Sequence, residues 1–327
     1  VPCSEEVAVF ARKYFFIRIW AAPATLSLMA IKGWFIGMQD TVSPMITDMV
    51  VNVVNMAVSY VLAVYTPMGA MGVALGTVIA QLTGLLLSMV ILLWKYGHVW
   101  QGLSFFRLLR DMRGMRQLIS LNTNLFVRSL CFMIVYVGFT ALSSKYGDTD
   151  LAVCSILMKL FMLVSYFVDG FAYAGEALVG KYIGLAHCPS SQSSESSISS
   201  LVRLLFLWSL GVGAVFTVLF ALSYMPMYRM MTSDGVVLER LTDFTLWLIA
   251  MPIVSTLAFM WDGVFTGATA GKQIRDAMIW AAVGFVLGYV ASYHWLGTHA
   301  LFVGYFLHLA ARVIYLTAAW RPLTSKL

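Results

Sequence analysis

Residues 70–95 read AMGVALGTVIAQLTGLLLSMVILLWK, a run whose one formal charge is the closing Lys95. At about 1.5 Å of rise per residue, such a run forms a helix long enough to cross a hydrocarbon layer about 30 Å thick. Its apolar residues do not alternate with polar ones, as the strands of a membrane barrel would require. The rest of the chain repeats the pattern: of 327 residues, 61% are hydrophobic and 11% charged. No water-soluble surface can be covered from that composition. The sequence therefore predicts an all-α polytopic membrane protein. Nine transmembrane helices are expected near 5–38, 42–65, 70–95, 117–144, 149–184, 198–224, 236–269, 271–294 and 297–320, separated by turn-forming segments such as TPMGAMG (66–72) and TSDG (232–235).

The net charge of +6 raises the question of nucleic acid, but the basic residues sit in short connections between apolar runs. They read as topology signals instead. Lys95, Arg107, Arg110, Arg113, Arg116, Lys181, Lys272, Arg275, Arg321 and Lys326 fall on one side, while Lys145, Arg229 and Arg240 on the other are diluted by aspartate and glutamate. By the positive-inside rule the carboxyl terminus is expected in the cytoplasm. Arginines spaced three apart within SFFRLLRDMRGMR predict an amphipathic helix along the cytoplasmic interface. Cys3, Cys131, Cys154 and Cys188 lack metal-ligand spacing and read as packing thiols, so no metal or organic cofactor is expected.

The first and seventh spans echo each other. APATLSLMAIKGWFIGMQD carries Pro23, Gly33 and Gly37; MPIVSTLAFMWDGVFTGAT carries Pro252, Gly263 and Gly267, at an offset of 229 to 230. The third and ninth spans share small residues at a similar offset, Gly72 with Ala300 and Gly76 with Gly304. Such repeats mark transporters whose halves move about a shared cavity, and the prolines and glycines are candidate kinks. GAMGVALG lacks the strand that a dinucleotide-binding loop requires, and reads as a small-residue face for close helix packing. The echo divides the chain into a partial amino-terminal lobe (1–97), a linker (98–116) and a carboxyl-terminal lobe (117–327). It also predicts three further helices upstream of residue 1.

The runs YFFIRIWAAPATL, GWFIGMQDTVSPM, NVVN and MGVALGTVIAQ resemble the fourth to sixth helices of multidrug and toxic compound extrusion (MATE) transporters, in their DinF-like branch. LFVRSL, YFVDGFAYAGEALVG, AFMWDGVFTGAT and AARVIYL resemble the seventh, eighth, tenth and twelfth. The resemblance implies two six-helix lobes in a bacterial inner membrane, with small organic molecules expelled in exchange for H⁺ or Na⁺. It implies no enzymatic activity and no nucleic-acid partner, and a monomer. It carries Asn55 and Thr77 to an amino-lobe cavity, with Ser59 where some relatives have an aspartate. The aspartate of the family's first helix would lie upstream.

An ionisable residue inside a span is costly, and should face the bundle interior, pair, or line a wet cavity. Arg128, Glu176, Asp262 and Arg312 lie about 12 to 16 Å from the expected cytoplasmic ends of their spans, in one layer, with Asp169 deeper at about 22 Å. Asp169 and Glu176 are two turns apart and share a helix face. Two readings stand: static pairs of Arg128 with Glu176 and Arg312 with Asp262, or groups that couple a cation to substrate. Tyr136, Phe139, Phe167, Tyr173 and Trp261 are candidates for an aromatic cavity wall, and His308 for a proton relay. Lys32 stands where the echo puts Asp262, and is expected to snorkel to the interface. Against the exporter stand three other functions. A lipid-linked sugar flippase would need more arginine for phosphate, an embedded prenyltransferase needs paired carboxylates for Mg²⁺ that are absent here, and an inactive remnant needs neither.

Overall fold

A computed structural model describes residues 5–100, 112–186 and 195–324. The chain forms two compact units, Val1–Arg110 and Asp111–Leu327. In the first, α1 (Glu5–Arg18) passes through a 3-10 turn, Ile19–Ala21, into α2 (Ala22–Gly37). The expected single span is thus broken just before Pro23, which has no N–H to donate and settles in the first turn of α2, where none is needed. Next come α3 (Val42–Val64) and α4 (Ala70–Tyr96). These two pack backbone to backbone: a Cβ on Gly72 would lie 2.7 Å from the Leu62 carbonyl, and one on Gly76 would lie 2.4 Å from Ser59 Oγ. Leu28, Val51 and Ala80 form a small core where α2, α3 and α4 meet.

The second unit holds α5 (Met112–Ser143), α6 (Asp148–Ala186), α7 (Glu195–Met231), α8 (Gly235–Asp243), α9 (Thr245–Gly267), α10 (Gly271–Leu296) and α11 (His299–Thr324). No strand occurs among the described residues, and nine helical segments there are long and apolar enough to cross a membrane. This is a multi-pass membrane protein. The expected interfacial helix falls largely on residues outside the described ones; Arg113 and Arg116 lie in the first turns of α5.

Two spans differ from expectation. The sixth continues beyond residue 224 to Met231, with Ser223 at non-helical dihedrals three residues ahead of Pro226. A proline inside a helix costs a hydrogen bond and crowds the turn before it, which accounts for the break. The seventh divides at Phe244 into α8 and α9. α8 is a separate amphipathic helix whose start is capped by Asp234, accepting from Val236 N at 2.9 Å. Pro252 lies within α9, and its carbonyl accepts the hydroxyls of Ser255 and Thr256.

The echo between α2–α4 and α9–α11 extends to individual backbone bonds. At the α2–α3 turn, Met38 N, Gln39 N and Asp40 N donate to Trp34, Ile36 and Phe35 carbonyls at 3.0, 2.9 and 2.8 Å. At the α9–α10 turn, Ala268 N, Thr269 N and Ala270 N donate to Val264, Thr266 and Phe265 at 3.0, 2.9 and 2.9 Å. Gln39 and Thr269 both have positive φ, 60° and 53°, which is uncommon for residues other than glycine. Gly69 and Gly297 open the next helices at the same dihedrals, φ 52° and ψ −126°.

The glycine pairs behave differently in the two copies. A Cβ on Gly263 would lie 2.2 Å from the Ala172 carbonyl, and one on Gly267 would lie 2.4 Å from the Glu176 carbonyl, so α9 lies directly on α6. Gly33 and Gly37 have nothing within that reach among the described residues.

Candidate functional site

The close approach of α9 to α6 opens a cavity of about 360 Å³ inside the second unit, lined by Arg128 from α5, Asp169, Tyr173 and Glu176 from α6, Phe259 and Asp262 from α9, and Arg312 from α11. All five charges expected inside this lobe meet there. Of the two expected pairs, Arg312 with Asp262 forms and Arg128 with Glu176 does not. Asp262 Oδ2 accepts Arg128 Nη2 at 2.6 Å and Arg312 Nη2 at 2.5 Å. Glu176 is not Arg128's partner. Depth along a helix placed these groups in one layer, but which pair touches is set by how each helix is turned about its axis. The Gly263–Gly267 contact turns Asp262 between α5 and α11. The Arg312 side chain is 2% exposed, Asp262 9% and Arg128 31%, so one carboxylate binds a buried and a half-buried cation.

Asp169 and Glu176, both partly buried, have no hydrogen bond or ion pair among the described residues. The cavity walls therefore carry three carboxylates against two guanidinium groups. Asp169, Phe132 and Phe259 also border a second cavity of about 170 Å³, whose other walls include Tyr136, Phe161, Tyr166 and Tyr305. A charged chamber and an aromatic alcove thus share one carboxylate. Of the aromatic residues expected at a wall, Tyr136 and Tyr173 line these cavities. Phe139 is buried in the core, Trp261 packs on Phe206 and Trp320, and Phe167 is exposed and packs on Phe216. Phe161, Phe259 and Tyr305 went unnoticed in the sequence, where nothing distinguishes a cavity aromatic from a packed one.

His308, one turn before Arg312, is fully buried, and both its ring nitrogens lack a partner among the described residues, as does Arg312 Nε.

In the first unit, Ser59 Oγ donates to Asn55 Oδ1 at 2.8 Å, and Thr77 Oγ1 donates to the Val73 carbonyl at 3.0 Å. The Lys32 ammonium pairs with Asp48 on α3. At the α2–α3 turn Asp40 accepts Ser43 N and Oγ at 3.2 and 2.6 Å, Lys95 Nζ at 2.7 Å and Tyr96 Oη at 3.1 Å. Burial alone would raise its pKa. The bonds from Lys95, Ser43 and Tyr96 outweigh it and hold the carboxyl down at about 2. The signal for this site was the Asp-x-x-Ser spacing at a helix start.

A family profile described as MatE matches residues 125–294, just over half of the chain. The chain belongs to the MatE family. MatE proteins are transporters, not enzymes. This member is 32% identical to DNA damage-inducible protein F of Escherichia coli over 319 residues, 97% of the chain and 67% of that protein. It is 23% identical to Protein DETOXIFICATION 44, chloroplastic, of Arabidopsis thaliana over 98% of the chain and 58% of that protein. It is also 27% identical to human Multidrug and toxin extrusion protein 1 over 62% of the chain and 35% of that protein. The MatE fold is shared with the crystal structure of MATE in complex with MaL6, at a TM-score of 0.85 and 14% identity over 99% of this chain and 72% of that one. It is shared too with the Vibrio cholerae MATE transporter VcmN in the bent form, at 0.79 and 17%, over 99% and 71%. The chain spans about two thirds of the Escherichia coli relative and under three fifths of the plant ones.

Proposed function

We propose that this protein is an inner-membrane exporter of amphipathic organic cations, driven by exchange for H⁺ or Na⁺, with its carboxyl terminus in the cytoplasm. The observation that carries the reading is the position of Asp169, a carboxylate without a partner among the described residues, at the junction of a charged chamber and an aromatic alcove. An organic cation can set its apolar part against the aromatic faces and its charge beside Asp169. A proton or Na⁺ neutralises the same carboxylate. Occupation by one therefore opposes the other, which is the requirement for antiport, provided each binds the inward- and outward-open states unequally. Asp262 has a different role: with two guanidinium groups on one oxygen it holds α5, α9 and α11 together. Acidic walls in which both arginines are already committed oppose a flippase for phosphate-bearing lipids. Relatives named for detoxification and multidrug extrusion favour the exporter.

The test is efflux of ethidium from proteoliposomes under separately imposed proton and sodium gradients. The wild type should respond to one gradient, and Asp169→Asn should lose that response while retaining its melting temperature. Efflux indifferent to both gradients would refute coupling, and unchanged coupling in Asp169→Asn would refute the assignment of that residue.

A further inference from the structure

The internal repeat sets Lys32 and Asp48 opposite Asp262 and Met278, at the offset of 230 that also relates the Gln39 and Thr269 turns. Asp262 and Met278 both line the chamber of the second unit. The first unit thus has, at the places equivalent to two chamber-lining residues, an ammonium paired with a carboxylate. Asp48 also heads a polar stripe. Asp48, Asn52, Asn55 and Ser59 fall within about 60° of one another around α3 at about 100° per residue. In a membrane helix such a stripe faces protein or water and not lipid. The pair is not sealed within its own unit: the Asp48 side chain is 51% exposed and that of Lys32 25%.

We propose that Asp48 is an ammonium-binding site of the first unit, filled in this structure by the tethered ammonium of Lys32, which acts as a built-in competitor and so as a specificity-determining residue. The Lys32 Nζ group stands where the ammonium of a ligand would stand. A lysine stem is flexible, and among the described residues no second bond clamps this one, so it can swing away. The surroundings select an organic ammonium over a metal ion. Among the described residues no cluster of three acidic, histidine or cysteine side chains stands here to hold a metal ion, whereas Met29 and Met45, each one turn from a member of the pair and both exposed, offer adaptable apolar surface. The ligand class is that of the proposed export function and rests on it, but the site is separate from the chamber containing Asp169.

Ethidium binding to the whole chain in nanodiscs, read by fluorescence anisotropy, tests the proposal. If Lys32 fills the site about nine-tenths of the time, Lys32→Gln should tighten binding about tenfold, because apparent affinity scales with the free fraction. Asp48→Asn should weaken binding, and Lys32→Gln/Asp48→Asn should match Asp48→Asn alone. Lys32→Arg keeps the pair and the fold and holds the carboxylate more firmly, so binding should weaken. The gain in Lys32→Gln should persist in an Asp169→Asn background, and its loss there would overturn a separate site even if export through Asp169 stands. Unchanged or weaker binding in Lys32→Gln, or a gain in Lys32→Arg, would overturn the competitor role.

Discussion

Replacing Asp262 by leucine would strand two cations around an apolar side chain. The Arg128 side chain is 31% exposed and shares its chamber with Asp169 and Glu176, so it can turn to another carboxylate at little cost. Arg312 cannot. It is 2% exposed, its Nε already lacks an acceptor, and its guanidinium stacks 5.4 Å from the Phe259 ring centroid. Removing one partner of a buried pair costs about 3 to 5 kcal/mol, nearly all of it here from the uncompensated Arg312. For a unit of this size 1 kcal/mol corresponds to about 2 to 4 °C, so Asp262→Leu should melt at least about 6 °C lower in nanodiscs. Adding Arg312→Met removes the stranded charge as well as its partner, and should recover most of the loss, since an apolar pair of similar volume often replaces a buried ion pair at no net cost. If Asp262→Leu melts within about 2 °C of the parent, or the double variant melts no higher than Asp262→Leu, the triad is not what joins α5, α9 and α11.

Gly263→Ala should destabilise the second unit by about 1 to 3 kcal/mol, since its Cβ would strike the Ala172 carbonyl, whereas Gly211→Ala, with open space around it, should not; melting curves separate the two. Asp40, almost fully buried, has its pKa lowered from 3.8 to about 2 on folding, so its roughly 2 kcal/mol is present above pH 4 and is lost as pH falls through about 2. Asp40→Asn should flatten that acid limb of the melting profile. At the other end of the second unit, Asp150 accepts Arg240 Nε at 2.9 Å and the Thr298 hydroxyl, tying the starts of α6 and α11 to α8. Asp150→Ala should cost about 1 to 3 kcal/mol by leaving Thr298 and Arg240 without their acceptor, and an unchanged urea midpoint would contradict this.

Helices were legible because a membrane span is set by length and apolarity, properties of the sequence alone. Breaks were less so. The 3-10 turn before Pro23 and the kink at Ser223 follow from proline chemistry, whereas the division at Phe244 has no proline or glycine beside it to mark it. The chamber was legible as a layer, since depth is additive along a helix. Its pairing was legible only in part: Arg312 does meet Asp262, but Arg128 faces Asp262 and not Glu176 because Gly263 and Gly267 fix the roll of α9 on α6, a tertiary fact. The partner of Lys32 was hidden for a related reason. It lies sixteen residues on across a turn, and only the hairpin geometry brings the two together.

What the repeat preserves and what it varies follow different physics. The turns at 38–40 and 268–270 share hydrogen bonds although no residue is common to them, because that geometry is held by backbone groups and only tolerates side chains. Glycines recur where helix backbones touch, at Gly76 and Gly304, because any Cβ there would collide. Charge obeys neither constraint, and at one repeat position the chain has Lys32 in the first copy and Asp262 in the second. The first copy is locally neutral, an ammonium matched by one carboxylate; the second has an excess carboxylate once two arginines are counted. On the proposed function, a cation entering the chamber of the second unit would meet uncompensated negative charge, whereas at Asp48 it would have to displace an internal amine. Under the proposed competition the two units would bind one ligand class with different affinities, and exchanging Lys32 for a neutral residue should narrow that difference.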